Sequence, residues 1–295
     1  MNKRHILVVG SIAVDNTMFT KELPKAGMTT LADSFMVNVG GKGANQACAS
    51  KLLGADVTFL GAIGKDNNGE LVKSCLKKQG LDARLKESKL PTGVSFIILE
   101  EKTGENRILI VQGANTDIST EDIDKYDELF VKDDILLTQF ENAQLTTQYT
   151  VKKAHDKGML VIVNPAPIKP FNDEYYKYID YLVPNEHELE ALSGTKDVLL
   201  GAESLLAKGV KNVIVTLGEK GSMLVNKSGH HLVMPHKVNA IDTTAAGDSY
   251  LGALASKLST NTDIIEAMEF ASKASSITVT RKGAIVSLPS LEDLE

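Results

Sequence analysis

No run of about 18 apolar residues occurs in this chain of 295, so no membrane-crossing helix is expected. Cysteine is scarce. The two thiols, Cys48 and Cys75, form no disulfide framework; both read as small core groups in a reducing, cytoplasmic setting. Residues 1–5 run straight into an apolar strand, which leaves no room for a targeting segment. Positive charge is also short. Thirty-two Lys and Arg against 38 Asp and Glu give a net charge of −6, which argues against nucleic acid or an anionic membrane as partner. Two nucleotide-binding signatures are missing as well. There is no G-x-x-x-x-G-K-[ST] loop, and no G-x-G-x-x-G turn follows the first strand, which weighs against a nicotinamide-dependent dehydrogenase. Internal repeats, low-complexity tracts and long linkers are absent too, so residues 1–295 read as one α/β domain.

What is present alternates regularly. Short apolar runs occur at Ile6–Val9, Val57–Leu60, Ile135–Phe140, Leu160–Val163, Tyr181–Val183 and Val213–Thr216. Helix-like segments such as Gly43–Leu53, Glu70–Gln79, Thr146–Lys157 and Leu199–Lys208 separate them. That rhythm predicts a mostly parallel sheet covered on both faces. Asp15–Phe19, Thr30–Val39, Thr92–Glu100 and Asn106–Gln112 break it, reading as strands of a small separate sheet. Segments near 15–39 and 92–112 are thus expected to form a lid, with a polar hairpin loop at residues 101–105.

Polar residues gather where the parallel strands end. Gly10 and Asp15 follow the first strand, Glu141 the run at Ile135–Phe140, and Asn164 the run at Leu160–Val163. Asn185 follows Tyr181–Val183, and Thr216 with Gly218 ends Val213–Val215. Ligands bind beyond the carboxyl ends of such strands, so one shared cleft is expected.

The segment Asp242-Thr243-Thr244-Ala245-Ala246-Gly247-Asp248 precedes a helical pattern of Leu251, Leu254 and Leu258. Unpaired N–H groups at a helix start favour an anion. A carboxylate placed there opposes phosphate binding unless it takes a proton from whatever attacks the phosphate. Asp248 is therefore read as a base beside an anion hole, the pairing a small-molecule kinase needs. Gly40-Gly41-Lys42-Gly43-Ala44-Asn45-Gln46 is either a glycine-rich helix start or a sugar-binding turn, with Lys42 and Asn45 offering hydrogen bonds. Asn185 and Glu188 suit a capping box, or a position near Mg²⁺ through waters; His187 reads as a surface residue. Thr216–Gly221 reads as a tight turn that also lets a nucleotide approach the backbone.

Together these segments resemble the ribokinases within the PfkB-type carbohydrate kinase family. The resemblance runs through Gly40–Gln46, Gly113–Asn115 (G-A-N), Asn164–Pro167 (N-P-A-P) and Pro184–Glu186 (P-N-E). It continues through Thr216–Gly218 (T-L-G), Asp242–Asp248 (D-T-T-A-A-G-D) and Thr280–Ala284 (T-R-K-G-A). It implies a ribokinase-like three-layer α/β sandwich with a β lid, and ATP-dependent phosphorylation of a sugar's primary hydroxyl, most simply that of D-ribose. By it, Asp248 is the base and the N–H groups of Ala245, Ala246 and Gly247 form the anion hole. Asp15, Gly41, Lys42, Asn45 and Glu141 hold the sugar. Asn185, Thr216, Gly218 and Gly221 lie along the nucleotide, and Glu188 organises Mg²⁺ through water. The resemblance also implies activation by K⁺ held mostly by carbonyls at Asp242, Thr244, Thr278, Arg281, Gly283 and Ser287, and a homodimer formed through the lid.

One residue departs from the pattern. Ribokinases commonly read G-S-x-N-x-D after the first strand, whereas this chain has Ala13 at the amide position. An unpaired sugar hydroxyl there costs about 1–3 kcal/mol in a dry site, so a 2-deoxyribose kinase is the alternative. Another sugar or nucleoside kinase, and a non-catalytic sugar sensor, also stand as expectations to be weighed.

Overall fold

The computed structural model describes residues 3–24, 27–100 and 106–294. β1 (Ile6–Val9) is buried on both faces, as a continuous apolar strand must be. β2 (Ala13–Thr20), β3 (Ser34–Gly40), α1 (Lys42–Leu52), β4 (Val57–Gly64) and α2 (Asn67–Lys78) follow. Next come β5 (Asp82–Ser88), β6 (Gly93–Glu100), β7 (Asn106–Val111), the short α3 (Thr120–Asp124) and β8 (Ile135–Gln139). The chain continues through α4 (Gln144–Asp156), β9 (Leu160–Asn164), β10 (Tyr181–Leu182), α5 (Glu186–Ser193) and α6 (Val198–Ala207). β11 (Asn212–Thr216), β12 (Ser222–Asn226), β13 (Gly229–Val233), α7 (Ala246–Leu258) and α8 (Ile264–Thr278) come last.

Nine strands form the main sheet in the order β13-β12-β11-β10-β9-β8-β1-β4-β5. Pairing is parallel from β5 to β11 and antiparallel at β12 and β13. In β1, Ile6 and Val8 enter an apolar cluster with α1, α2, α7 and α8, while Leu7 and Val9 enter a second cluster with α3 to α6. Period-two alternation thus places one helical layer on each face, giving the expected three-layer sandwich.

β1 is the switch point. Its neighbours are β4 and β8, so the chain builds outward on one side, then resumes on the other. Ligands of open parallel sheets bind beyond the carboxyl ends of the strands near such a point.

A second sheet has the order β3-β2-β6-β7, with β2 and β6 parallel and the outer pairs antiparallel. Its strands fall on the segments expected for a lid, although β3 starts at Ser34 rather than Thr30. The hairpin loop expected at residues 101–105 lies outside the described residues. This sheet exposes Phe35, Phe96, Ile108 and Leu109, the last at 71%.

β5 and β13 have no counterpart among the strands expected from sequence. Both lie at the edges of the main sheet, where one apolar face suffices and polar residues such as those of β5 are tolerated.

Candidate active site

α7 meets α1 across Gly252. A Cβ there would lie 2.4 Å from the Ala49 Cβ and 2.7 Å from the Gln46 carbonyl, so the helices touch nearly backbone to backbone. Ser50 fixes the contact by donating to the carbonyl of Gly252 at 3.0 Å. This approach delivers the start of α7 to the Gly-Lys turn that opens α1.

At that start, Ala245 takes left-handed angles, φ 60° and ψ 9°. For an alanine this costs roughly 1–3 kcal/mol and is held by its surroundings. Among the described residues, the N–H groups of Ala245, Gly247 and Asp248 have no acceptor. The Ala246 N–H donates to the Thr243 carbonyl at 3.2 Å, so one of the three donors expected at the anion hole is already engaged. A Cβ on Gly247 would meet nothing within 4 Å; open space reaches the backbone there.

Asp248 is 7% exposed and lines a cavity of about 900 Å³. Lys42 borders the same cavity, so Asp248 and the Gly-Lys turn are joined by open space. Asn45 Nδ2 donates to Asp248 Oδ2 and Gln46 Nε2 to Oδ1, each at 2.9 Å. Burial pulls the Lys42 ammonium down, but Asp248, Glu141, Glu188 and Asp15 around it outweigh burial and raise it. It therefore stays charged. Glu141 accepts from the Lys42 N–H at 3.0 Å and from the Ser11 hydroxyl, joining the loops at the switch point. Gln112 at the end of β7 donates to the Glu141 carbonyl at 2.6 Å, tying the second sheet to the same loop.

Asp15 sits on β2 and accepts from the Ser95 hydroxyl. Burial pushes its carboxyl up to about 6, helped by the charges of Glu141 and Asp248 and opposed by Ser95 and Lys42. Gly41, Asn45, Glu141 and Asp15 thus lie near Lys42, but of these five residues expected at the sugar only Lys42 lines the cavity.

The other end holds the expected nucleotide residues. Asn185, Glu188, Thr216, Gly218 and Gly221 all border the cavity. Thr216 is bridged to Asn185, and its N–H donates to the Pro184 carbonyl at 3.0 Å. Asn185 and Glu188 form the full capping box, so the structural role exists alongside any ligand role. Burial raises the Glu188 carboxyl, while the Asn185 N–H and Lys42 counter it. His187 is exposed and lies at the cavity edge.

Sequence reasoning missed the wall formed by Val238, Ala240, Ser272, Ser275, Ser276 and Val279. Its one visible signal was the small residues of α8 at helical spacing. A more open depression of about 590 Å³ between β13 and α8 carries none of the motif residues.

Asp242, Thr244, Thr278, Arg281, Gly283 and Ser287 do not border the cavity. They lie on or beside two loops, stitched together by Asp242, which accepts from the Thr244 and Gly283 N–H groups at 2.9 Å each. The Arg281 side chain is turned away to Asp293 at 2.6 Å, and the Thr278 hydroxyl donates to Ser249 at 2.7 Å.

The pfkB family carbohydrate kinase pattern matches residues 3–291. The chain belongs to that family. It is similar to the ribokinase of Schizosaccharomyces pombe, 40% identical over 308 residues with 99% of this chain and 96% of the relative covered. The deoxyribokinase of Salmonella typhi is 36% identical, with 97% and 96% covered. Among solved structures, the ribokinase of Thermotoga maritima superposes with a TM-score of 0.92 at 40% identity, covering 99% of this chain and 98% of that one. The fold is therefore that of the ribokinases, and this family member is a phosphotransferase acting on a sugar hydroxyl.

Proposed function

We propose that the protein transfers the γ-phosphoryl group of ATP to the primary 5-hydroxyl of D-ribose. The observation that carries this reading is Asp248, which lines the same cavity as Lys42 and directly follows Gly247, whose N–H has no acceptor among the described residues. As the new oxygen–phosphorus bond forms and the bond to the ADP oxygen breaks, Asp248 takes the hydroxyl proton. The N–H groups of Ala245 and Gly247 receive charge on the moving phosphoryl. Asp15, Gly41, Lys42, Asn45 and Glu141 orient the sugar. Asn185, Thr216, Gly218 and Gly221 line the nucleotide.

Among the described residues, no cluster of three His, Cys, Asp or Glu is arranged to hold a metal. That donor set fits Mg²⁺ carried mainly by phosphates and water, with Glu188 as an outer partner. Mg²⁺ would supply charge neutralisation on the phosphates. K⁺, if held by carbonyls of the loops stitched by Asp242 as the resemblance implies, would stiffen the anion-hole turn from behind. Exposed Phe35, Phe96, Ile108 and Leu109 suit the second sheet to pairing with another copy as a homodimer, and to excluding water as a lid. We place the protein in the cytoplasm, in keeping with its unpaired thiols.

A second reading rests on Ala13, which is 8% exposed in β2 between Gly40 and Gly93. Its methyl group offers no partner to a 2-hydroxyl, which favours 2-deoxyribose. A coupled ATP-consumption assay tests both readings, with the phosphorylated position read by NMR. Turnover with ribose giving the 5-phosphate supports the first; a kcat/KM higher for 2-deoxyribose supports the second. Turnover with neither would overturn both.

A further inference from the structure

We propose that Gln46, itself held by Gln139, is a positioning residue that fixes the carboxylate of Asp248 for proton transfer. The proposal rests on the reading of Asp248 as the base. Gln46, on α1, is completely buried and Gln139, on the sheet strand β8, is 1% exposed; α1 shares the helical layer of α7, which carries Asp248. Gln46 Nε2 lies 2.9 Å from Asp248 Oδ1, and Gln139 Nε2 lies 2.6 Å from Gln46 Oε1. The direction of this chain is dictated by chemistry. A carboxylate only accepts, so the Gln46 NH₂ must face Asp248. The Gln46 carbonyl must then face Gln139, which supplies its own NH₂. As a consequence Gln139 Oε1 is buried with no partner among the described residues. Such an orphaned acceptor opposes folding, and packing alone would be met by an apolar side chain of the same volume.

The arrangement suits a base. One amide donor grips each Asp248 oxygen, Asn45 on Oδ2 and Gln46 on Oδ1, which stops rotation of the carboxylate and leaves further lone pairs for the cavity. Amide donors do not titrate, so neither competes for the proton leaving the substrate. A Gln46 Nε2 contact to Asn164 Oδ1 at 3.4 Å, with Asn164 donating to the Val183 carbonyl at 3.0 Å, anchors the same amide to β9. No charged group intervenes in this set of bonds; the nearby charges that act on Asp248 or Lys42 are Asp15, Glu141 and Glu188.

The test is steady-state kinetics with ribose and ATP on Gln46→Met and Gln139→Met, with kcat expressed per ATP site counted by calorimetry. Losing one hydrogen bond to a buried charge predicts a fall in kcat of about 10- to 100-fold for Gln46→Met. Gln139→Met leaves the donor but frees its orientation, predicting a fall of about threefold or more. In both, the KM values for ribose and ATP stay within about twofold of the parent. A merely structural role would reduce the number of ATP sites and leave kcat per site unchanged, which would overturn the proposal. So would a rise in ribose KM matching the fall in kcat, because it would put Gln46 on the sugar. Should Gln46→Met not fold, Gln139→Met decides by the same criteria. Asp248→Asn is measured in parallel. Retained turnover there removes the base reading itself, whereas loss there with unchanged Gln46→Met and Gln139→Met overturns only the positioning role.

Discussion

Asn45 Nδ2 donates to Asp248 Oδ2 at 2.9 Å across 203 residues of chain, joining the Gly-Lys turn to the anion-hole turn. The same amide leaves its buried Oδ1 without a partner among the described residues.

Asp248→Asn keeps shape and hydrogen-bonding capacity but removes the basic oxygen. We expect kcat to fall by roughly 10²–10⁴, the usual contribution of a general base. ATP affinity by calorimetry should change little, since the nucleotide end of the cavity is untouched.

Asp15 gives a pH signature. Its carboxyl titrates near 6, against 3.8 ordinarily, so the folded protein holds this proton more tightly than the unfolded chain does. The associated stability is full below about 3.8 and is lost as pH rises through about 6. At neutral pH the ionised group therefore destabilises the fold, and Asp15→Asn should raise the thermal midpoint at pH 7.5 by a few degrees, roughly 2–4 °C per kcal/mol. Sugar binding runs the other way. Only the ionised form accepts two hydroxyl donors, so ribose kcat/KM should fall below about pH 6 in the parent and lose that dependence in Asp15→Asn. A pH-independent kcat/KM in the parent would remove Asp15 from the sugar site.

Ala13→Asn restores the amide at the one position that departs from the ribokinase pattern. A hydrogen bond to a buried hydroxyl is worth about 1–3 kcal/mol when its loss would leave the hydroxyl unpaired. The ratio of kcat/KM for ribose over 2-deoxyribose should therefore rise by about tenfold or more. An unchanged ratio would show that this part of β2 does not meet the 2-position.

The second sheet should hold a dimer together. Leu109 is 71% exposed and stands opposite the exposed Phe96 on the neighbouring strand β6. Leu109→Lys should shift the protein from dimer to monomer in sedimentation or light scattering, with little effect on thermal stability of the monomer. A parent that is monomeric at all concentrations would overturn the lid-to-lid arrangement.

The sequence by itself determined the strands of the parallel core, because each is a continuous apolar run whose burial on both faces follows from local composition. That Asp248 and Lys42 would face one cleft was legible for a similar reason: each stands at a helix start beyond the strand ends, and both line the cavity. The edge strands β5 and β13 were not, since half-exposed strands carry only half the apolar pattern. Nor were the Gln46–Gln139 bond, the Gly252 crossing of α1 and α7, or the cavity wall at Val238 and Ala240, which depend on how distant segments pack. The Asn185–Glu188 capping box, by contrast, was legible in the sequence, because its two partners lie in one turn. Hydrogen-bond partners are chosen by distance in space, and spacing along the chain records that only where both partners lie in the same turn.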